Sequence, residues 1–240
     1  MLKLDICLTV EEMNKKDVEG KAVVVIDVFR ASSTIITAVE QGCRSVIPVL
    51  SEAEAWARMG ELKNLGMDVL IAGERKGIKI PGFHLGNSPT EFKERNLTNK
   101  TILLTTSNGT RGIHGARGAG EILIGALMNA GAVAKDLSDL GLDILYVCCG
   151  RLGEFSLEDF LAAGAITYYL GERESLRLSD VLLASAGLFE SKKEDIIGFL
   201  EKGEHSSYLQ KIDYGEDIGI CSSLNSSSWV PRYQAGVIKP

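Results

Sequence analysis

The sequence predicts an α/β protein in which a mostly parallel sheet carries helices on both faces. Short apolar runs rich in valine, leucine and isoleucine alternate with longer segments whose apolar residues recur at helical spacing, and this alternation is typical of β-α-β units. The clearest strand covers residues 22–26, AVVVI, an unbroken apolar run of the kind that is buried on both faces of a parallel sheet. A helical pattern that begins with the hydroxyl residues 32–34 follows it directly, so this segment predicts the first strand–turn–helix unit.

The remaining elements are predicted from the same signals. Strands are expected at residues 2–8, 45–49, 69–72, 101–105, 121–125, 143–149 and 217–221, and helices at residues 51–64, from 88 onward, and at 128–140, 156–170, 178–186 and 191–200. Two helix starts carry a capping signal. Ser88 is followed by Pro89 and Glu91, and Ser156 is followed by Asp159 three residues later. Residues 222–231 are predicted to form a polar loop.

Composition limits the class of protein. The chain has 240 residues, 45% of them hydrophobic and 24% charged, which suits one domain over residues 1–240 or two closely packed lobes, 1–125 and 126–240. The formal charge of −6 argues against a nucleic-acid-binding surface, which needs clustered lysine and arginine. No apolar run approaches the roughly 18 residues of a membrane span, and the first ten residues lack a secretory pattern, so we expect a cytoplasmic protein.

Cysteine and histidine usage argues against two kinds of site. The five cysteines show no C-x-x-C spacing and have no paired histidines nearby, so we do not expect a zinc site. With only three histidines in the chain, a mechanism centred on a catalytic histidine is not favoured. For His84, we expect that the ring folds its loop onto the core rather than binding a ligand.

Four predicted strand ends combine an acid or amide with an arginine. The pairs are Asp27 with Arg30, Glu74 with Arg75, Asn108 with Arg111, and Glu154 with Arg151. Ligands of open α/β sheets bind at the carboxyl ends of the strands, so these groups predict a pocket where carboxylates hold a hard cation and arginines bind an oxyanion. Magnesium suits such ligands, because it takes a few carboxylates, keeps several waters and is shared with substrate phosphate. For the first turn taken alone, a simple Asp27–Arg30 ion pair is the alternative.

Several phosphate-handling motifs are absent from the sequence. There is no G-x-x-x-x-G-K-[ST] loop, which excludes a Walker-type nucleotide site. Asp27 is followed two residues later by Phe29 rather than by a second aspartate, unlike the haloacid-dehalogenase phosphatases. Neither Cys148 nor Cys149 has an arginine six positions on, which excludes the cysteine-phosphatase loop. The adjacent Arg-His-Gly of histidine phosphatases is missing after Arg111.

Four long segments nevertheless carry a resemblance. They are IDVFRASSTI, GERKGIKIPGFHLGNSP, TTSNGTRGI and CCGRLGEFSLEDFLAAG, which lie in order between residues 26 and 164. These segments resemble the signature blocks of the 2-phosphosulfolactate phosphatase (ComB) family, with a weaker echo at Val230-Pro231. The resemblance implies an α/β fold and Mg²⁺-dependent hydrolysis of 2-phospho-3-sulfolactate to sulfolactate and phosphate, a step toward coenzyme M. The serine-rich run at residues 225–228 departs from the pattern, and we assign no site acid to the tail.

The resemblance and the strand-end pattern together suggest roles for the polar groups. As catalytic groups we assign Asp27, Arg30, Glu74 and Asn108. As substrate-binding groups we assign Arg30, Ser32, Ser33, Arg75, Asn87, Thr110, Arg111 and Arg151. As Mg²⁺ ligands we assign Asp27 and Glu74, with Glu154, Glu158 and Asp159 as further candidates. We place Arg30 on the transferring phosphoryl group and Arg111 or Arg151 on the sulfonate. For Glu158 and Asp159, ordinary helix capping is the alternative.

Other functions and mechanisms stay open at this point. Either a metal-activated water attacks phosphorus, or a carboxylate such as Asp27 first forms an acyl-phosphate. A non-catalytic binder of small organic polyanions would use the same arginines without a metal, and a lyase or isomerase would act on a related phosphorylated or sulfonated hydroxy acid. We expect a homodimer that binds a small anionic substrate and neither nucleic acid nor membrane.

Overall fold

The computed structural model describes residues 1–13, 15–171 and 175–240. The strands are β1 (Leu2–Cys7), β2 (Ala22–Ile26), β3 (Ser45–Pro48), β4 (Val69–Arg75), β5 (Ile78–Lys79), β6 (Thr101–Thr105), β7 (Glu121–Gly125), β8 (Ile144–Cys148), β9 (Leu176–Leu178), β10 (Arg232–Gln234) and β11 (Val237–Lys239). The helices are α1 (Val10–Met13), α2 (Ala31–Glu40), α3 (Glu52–Asn64), α4 (Pro89–Lys93), α5 (Gly109–Gly115), α6 (Ala130–Leu140), α7 (Leu157–Gly171), α8 (Asp180–Lys192), α9 (Ile196–Leu200), α10 (Glu204–Lys211) and α11 (Glu216–Cys221). A 3-10 turn, Leu127–Asn129, precedes α6.

The described strands form one sheet in the order β5-β4-β6-β3-β11-β10-β7-β2-β8-β1-β9. Most neighbouring pairs are parallel, while the hairpin β10–β11 and the short strand β5 run antiparallel to their neighbours. The hairpin joins the two parallel parts of the sheet through single bridges, from Arg232 to Leu123 and from Ile238 to Val46. The predicted α/β class with a mostly parallel sheet is therefore confirmed, and the division into lobes at residue 125 stays a prediction.

Strand β2 lies inside the larger parallel part, between β7 and β8. All five of its residues are buried, as the unbroken apolar run predicts, because side chains pack on both faces of the sheet. Its last residue, Ile26, pairs with Gly125 of β7 and with Cys148 of β8. The three strands therefore end level with one another, and the residues that follow them meet at the carboxyl edge. In the other parallel part, Gly73 of β4 pairs with Thr105 of β6, which aligns the two ends there.

The C-terminal region differs from the prediction. Residues 217–221 were predicted as a strand but lie in α11, where Asp217, Ile218 and Cys221 are buried at helical spacing. Helix α8 runs on to Lys192, past the predicted end at residue 186, and the helix predicted over 191–200 is only α9. The hairpin β10–β11 was not predicted, because its strands are only three residues long.

The helix starts at residues 88 and 156 are confirmed. Glu91 and Asp159, the acids three residues after the two serines, also bind other segments of the chain. The Ser88 hydroxyl accepts the N–H of Glu91 at 3.2 Å, while the Glu91 carboxylate accepts the N–H of Gly86. Asp159 binds two loops from other strands, as described below. In the described part of the chain, none of the helices has the length and apolar character needed to span a bilayer.

Candidate active site

A cavity of about 330 Å³ opens at the carboxyl ends of β2, β4, β6 and β8, under helix α10. Its lining is Asp27, Phe29, Arg30, Glu74, Lys76, Gly77, Asn87, Ser107, Asn108, Arg151, Leu152, His205, Tyr208 and Leu209. The cavity thus lies where ligands of open α/β sheets bind.

Asp27 follows the last residue of β2 and is 8% exposed. Its Oδ1 accepts the N–H of Ala31 at 3.1 Å, which fixes the carboxylate on the first turn of α2. Its own N–H donates to the Ser32 hydroxyl at 3.0 Å. No hydrogen bond reaches Oδ2 from the described residues, and the absence of a side chain at Gly109 leaves the space beside this oxygen open.

Burial is the main cause that raises the pKa of Asp27, to about 6. The N–H of Ala31 and the ring of His205 act in the opposite direction, and the negative charges of Glu74 and Glu158 raise the pKa further. A second cation near Asp27 would relieve this repulsion.

Glu74 is the second buried carboxylate of the cavity lining. It is the next-to-last residue of β4. The tight turn at Lys76 and Gly77 follows, and both of these turn residues have positive φ. The turn brings the N–H of Gly77 to Oε2 at 2.7 Å, and the N–H of Ser107 donates to Oε1 at 2.7 Å. These contacts tie β4 to the loop after β6 and hold the carboxylate at the cavity.

Arg30 is held by contacts from three other parts of the chain. Its Nη1 donates to Oδ2 of Asp217 in α11 at 2.7 Å, its Nη2 donates to the carbonyl of Gly77, and its guanidinium lies 4.1 Å from the ring centroid of Tyr214. The alternative that Arg30 simply pairs with Asp27 is therefore wrong, because the buried partner of Arg30 comes from the tail. The Phe29–Arg30 peptide bond is cis.

Helix α10 supplies His205, Tyr208 and Leu209 to the cavity. The hydroxyl of Tyr208 donates to the carbonyl of Lys76 at 2.8 Å, and the guanidinium of Arg151 lies 4.8 Å from the centroid of the Tyr208 ring. Tyr208 therefore contacts the β4–β5 turn through its hydroxyl and Arg151 through its ring. Lys76 and Arg151 are cations of the cavity wall that make no ion pair within the described residues.

Two amides complete the polar lining. Asn108 donates from Nδ2 to the carbonyl of Gly150 at 3.0 Å, which joins the loops after β6 and β8. Asn87 is 4% exposed, and its Oδ1 is buried with no hydrogen-bond partner in the described part of the chain. An orphaned oxygen of this kind costs free energy unless a ligand, ion or water satisfies it.

Glu158 and Asp159 lie behind the cavity in the first turn of α7, and both are buried. Asp159 accepts the N–H of Val28 at 2.8 Å and the N–H of Gly150 at 3.2 Å, so it connects the loops after β2 and β8. Glu158 accepts from Nδ1 of His205 at 2.5 Å. Burial and the charges of Glu158 and Asp27 raise the pKa of Asp159 well above its usual value.

The described residues contain no group of three or more His, Cys, Asp or Glu side chains arranged to hold a metal ion. The oxygens of the lining include the carboxylates of Asp27 and Glu74 and the unpartnered Oδ1 of Asn87. This set fits Mg²⁺, which needs only one or two carboxylates when waters and substrate phosphate fill the other positions.

Comparison with known proteins gives the family. A model of the 2-phosphosulpholactate phosphatase family matches residues 7–236. The chain belongs to this family. It is 37% identical over 238 residues to a probable 2-phosphosulfolactate phosphatase of Clostridium acetobutylicum, covering 99% of this chain and 100% of the relative. Relatives with the same name from Clostridium kluyveri and Clostridium perfringens are 37% and 36% identical over 239 and 238 residues, covering 99% of this chain and 98% and 96% of the relatives.

Six of the family-block residues predicted for the site line one cavity, and the other eight lie outside it. Those in the lining are Asp27, Arg30, Glu74, Asn87 and Asn108, with Arg151 from the fourth block at the wall. Arg75 instead pairs with Glu52 at 3.6 Å, and Arg111 pairs with Glu11 at 3.0 Å on the surface. Glu154 is exposed and joins Arg151 only through the backbone.

The predicted hydroxyl groups support the backbone instead of lining the cavity. Ser32 donates to the carbonyl of Val25 at 3.2 Å, and Ser33 donates to that of Val28 at 2.8 Å. Thr110 donates to the carbonyl of Thr106 at 3.0 Å and accepts from its N–H at 3.3 Å. All three are buried, so we leave them out of the substrate-binding set.

Sequence reasoning missed four contributors to this site: Lys76, His205, Tyr208 and Asp217. Lys76 lies inside a family block and could have been noticed as the free cation beside Glu74 and Arg75. The other three come from helices α10 and α11, where no carboxyl end of a strand marks them. His84 accepts the N–H of Ile71 at 3.0 Å, which confirms the prediction that it fixes its loop.

Proposed function

We propose that this protein hydrolyses the phosphate ester of 2-phospho-3-sulfolactate and that Mg²⁺ binds at Asp27 and Glu74. The observation that carries the proposal is that two buried carboxylates, an orphaned amide oxygen and unpaired cations meet in one cavity. Family membership supplies the reaction class. The reaction would supply sulfolactate, as in the route to coenzyme M that the resemblance implies. A cytoplasmic homodimer stays a prediction.

The cavity suits a ligand with several negative groups. Asp27 and Glu74 would repel an anion, so a cation must lie between these carboxylates and a bound phosphate. Bound there, Mg²⁺ would neutralise the carboxylates and the phosphate oxygens and withdraw charge from phosphorus. The orphaned Oδ1 of Asn87 would accept from a ligand or from an ordered water.

The cations of the cavity divide into two groups with different roles. Arg30 is fixed by Asp217, Gly77 and Tyr214, so its remaining N–H groups are preorganised for a phosphoryl oxygen beside Asp27. Lys76 and Arg151 lie against Tyr208 at the wall, and they would bind the sulfonate and the carboxylate of the substrate.

A non-catalytic polyanion binder is the alternative that the experiment must separate. We expect phosphate release from phosphosulfolactate in the presence of Mg²⁺, a weaker rate with Zn²⁺ because the groups that would hold the metal, Asp27, Glu74 and Asn87, are all oxygen ligands, and no release after exhaustive chelation. Titration calorimetry measures the binding of sulfolactate plus phosphate alongside the activity assay. Tight binding without release would favour the binder, and full release in chelator would contradict the metal.

A further inference from the structure

We infer that His205 is the general acid of the reaction and that Glu158 is the residue that positions it. The inference rests on the proposed phosphatase function. It starts from a histidine that lines the same cavity as Asp27 and Arg30, although it lies 175 or more positions along the chain from both.

The ring of His205 has one nitrogen engaged and one available. Nδ1 lies 2.5 Å from Oε1 of Glu158, and the side chains are 17% and 4% exposed, respectively. Because a carboxylate can only accept, Nδ1 carries hydrogen in this pair, and Nε2 is the nitrogen left for a ligand. The ring of Phe29 packs edge-on against the imidazole at 5.6 Å between centroids, which fixes the ring plane. A carboxylate holds one ring nitrogen while the ring faces a cavity, and this arrangement orients a proton donor.

The chemistry of this substrate requires such a donor. The leaving group is a secondary alkoxide, which is a strong base and departs slowly unless it is protonated as the ester bond breaks. In the step, the oxygen of water forms the new bond to phosphorus while the old P–O bond breaks. The electron pair of the broken bond stays on the alcohol oxygen, which takes the proton from Nε2. The water proton leaves with phosphate or to solvent, and the neutral ring regains a proton from solvent.

Charges of both signs surround the ring. Glu158 of α7 lies directly against it, and Asp27 acts on it electrostatically from the end of β2. Arg30, Lys76 and Arg151 line the same cavity and oppose this effect, but Arg30 is neutralised by Asp217. A bound substrate with several negative groups would neutralise the other two.

A purely structural role is the competing explanation, since the His205–Glu158 contact also fastens α10 to α7. The two roles differ in their dependence on the leaving group. A general acid matters for an alkoxide and matters little for a leaving group that is stable as an anion, whereas a structural defect reduces both rates alike.

The test compares 2-phospholactate with its 3,3,3-trifluoro analogue, which has nearly the same shape and a far more acidic leaving alcohol. His205→Gln should lower kcat/KM for phospholactate roughly 10²- to 10⁴-fold and lower that for the trifluoro analogue less than about tenfold. His114→Gln is the matched control, because His114 binds the carbonyl of Pro48 away from the cavity lining, and it should leave both rates unchanged. Equal losses on both substrates in His205→Gln would overturn the inference.

Two further measurements keep the test decisive. Glu158→Gln should show the same selective loss on phospholactate, because the ring of His205 loses the carboxylate that orients it. Equal losses on the two substrates in Glu158→Gln would contradict the positioning role. If His205→Gln does not fold, the dependence of the wild-type rate on the acidity of the leaving group decides. A general acid predicts a weak dependence, and a steep dependence rules out a general acid. Wild-type protein that releases no phosphate from phosphosulfolactate would instead refute the proposed function.

Discussion

Arg30 and Asp217 form a buried ion pair, with Nη1 2.7 Å from Oδ2, although 187 positions separate them along the chain. The other oxygen of Asp217 accepts from the hydroxyls of Ser88 and Thr90 at 2.7 Å each. One carboxylate in α11 therefore fixes the turn after β2 and the start of α4. The tail thus positions Arg30 of the cavity lining, although no acid from the tail was predicted.

Asp217→Asn should destabilise the protein by about 3–5 kcal/mol, because it leaves the guanidinium of Arg30 buried without its counter-charge. Chemical denaturation at neutral pH measures this change. Glu11→Gln is the matched control, since it breaks the exposed Glu11–Arg111 pair and should cost less than about 1 kcal/mol. Similar losses in both variants would mean that Arg30 tolerates burial without Asp217.

Asp27→Asn should stabilise the metal-free protein at high pH. Burial raises the pKa of Asp27 from 3.8 to about 6, so the folded state binds this proton more tightly than the unfolded state. Wild-type stability therefore falls as pH rises from about 4 to 6, by up to about 3 kcal/mol at roughly 1.4 kcal/mol per pKa unit. The variant lacks this loss, so it should be more stable than wild type above pH 7 and equal to it below pH 4.

Unfolding curves in chelator across this pH range measure the difference, and a difference that does not change with pH would contradict the prediction. Added Mg²⁺ gives a second reading that does not depend on activity. It should raise the melting temperature of wild type and leave that of Asp27→Asn unchanged, because binding to the folded state alone stabilises it.

Gly109→Ala should lower activity and cost about 1–3 kcal/mol of stability. A methyl group at Gly109 would lie 2.5 Å from Cβ of Ala31 and 2.7 Å from Oδ2 of Asp27, so it would displace the cavity carboxylate. Gly187→Ala in α8 is the control, because the space beside Gly187 is open and alanine favours a helix by up to about 1 kcal/mol. Thermal melts and kcat measure both variants, and an unchanged kcat in Gly109→Ala would show that Asp27 has room to move.

Arg151→Ala should raise KM for phosphosulfolactate roughly a hundredfold, the effect of losing a charge-assisted contact of about 2–3 kcal/mol. The KM for phospholactate, which lacks the sulfonate, should change much less. Arg111→Ala should leave both values near wild type, because Arg111 lies on the surface with Glu11. Steady-state kinetics on the two substrates test the assignment, and equal effects of Arg151→Ala on both would place the sulfonate elsewhere.

The positions of three predicted residues show where local patterns stop being informative. Glu74 and Arg75 are adjacent in β4, and successive side chains of a strand point to opposite faces, so Glu74 enters the cavity and Arg75 does not. In α5, Gly109 and Gly112 are buried while Arg111 is exposed, because these positions lie on different sides of one helix. A residue's place in a motif therefore does not decide which way its side chain points.

The sequence by itself determined the α/β class, the buried strand β2, the helix starts at residues 88 and 156, and the gathering of Asp27, Glu74 and Asn108 at one edge. Apolar period, capping chemistry and strand-end position are local, so they can be read from neighbouring residues. Only the tertiary structure decided that Asp217 pairs with Arg30 and that His205 joins the cavity. Both contacts cross more than 170 positions of chain, and they form because helices α10 and α11 pack over the strand ends, an outcome that no local pattern encodes.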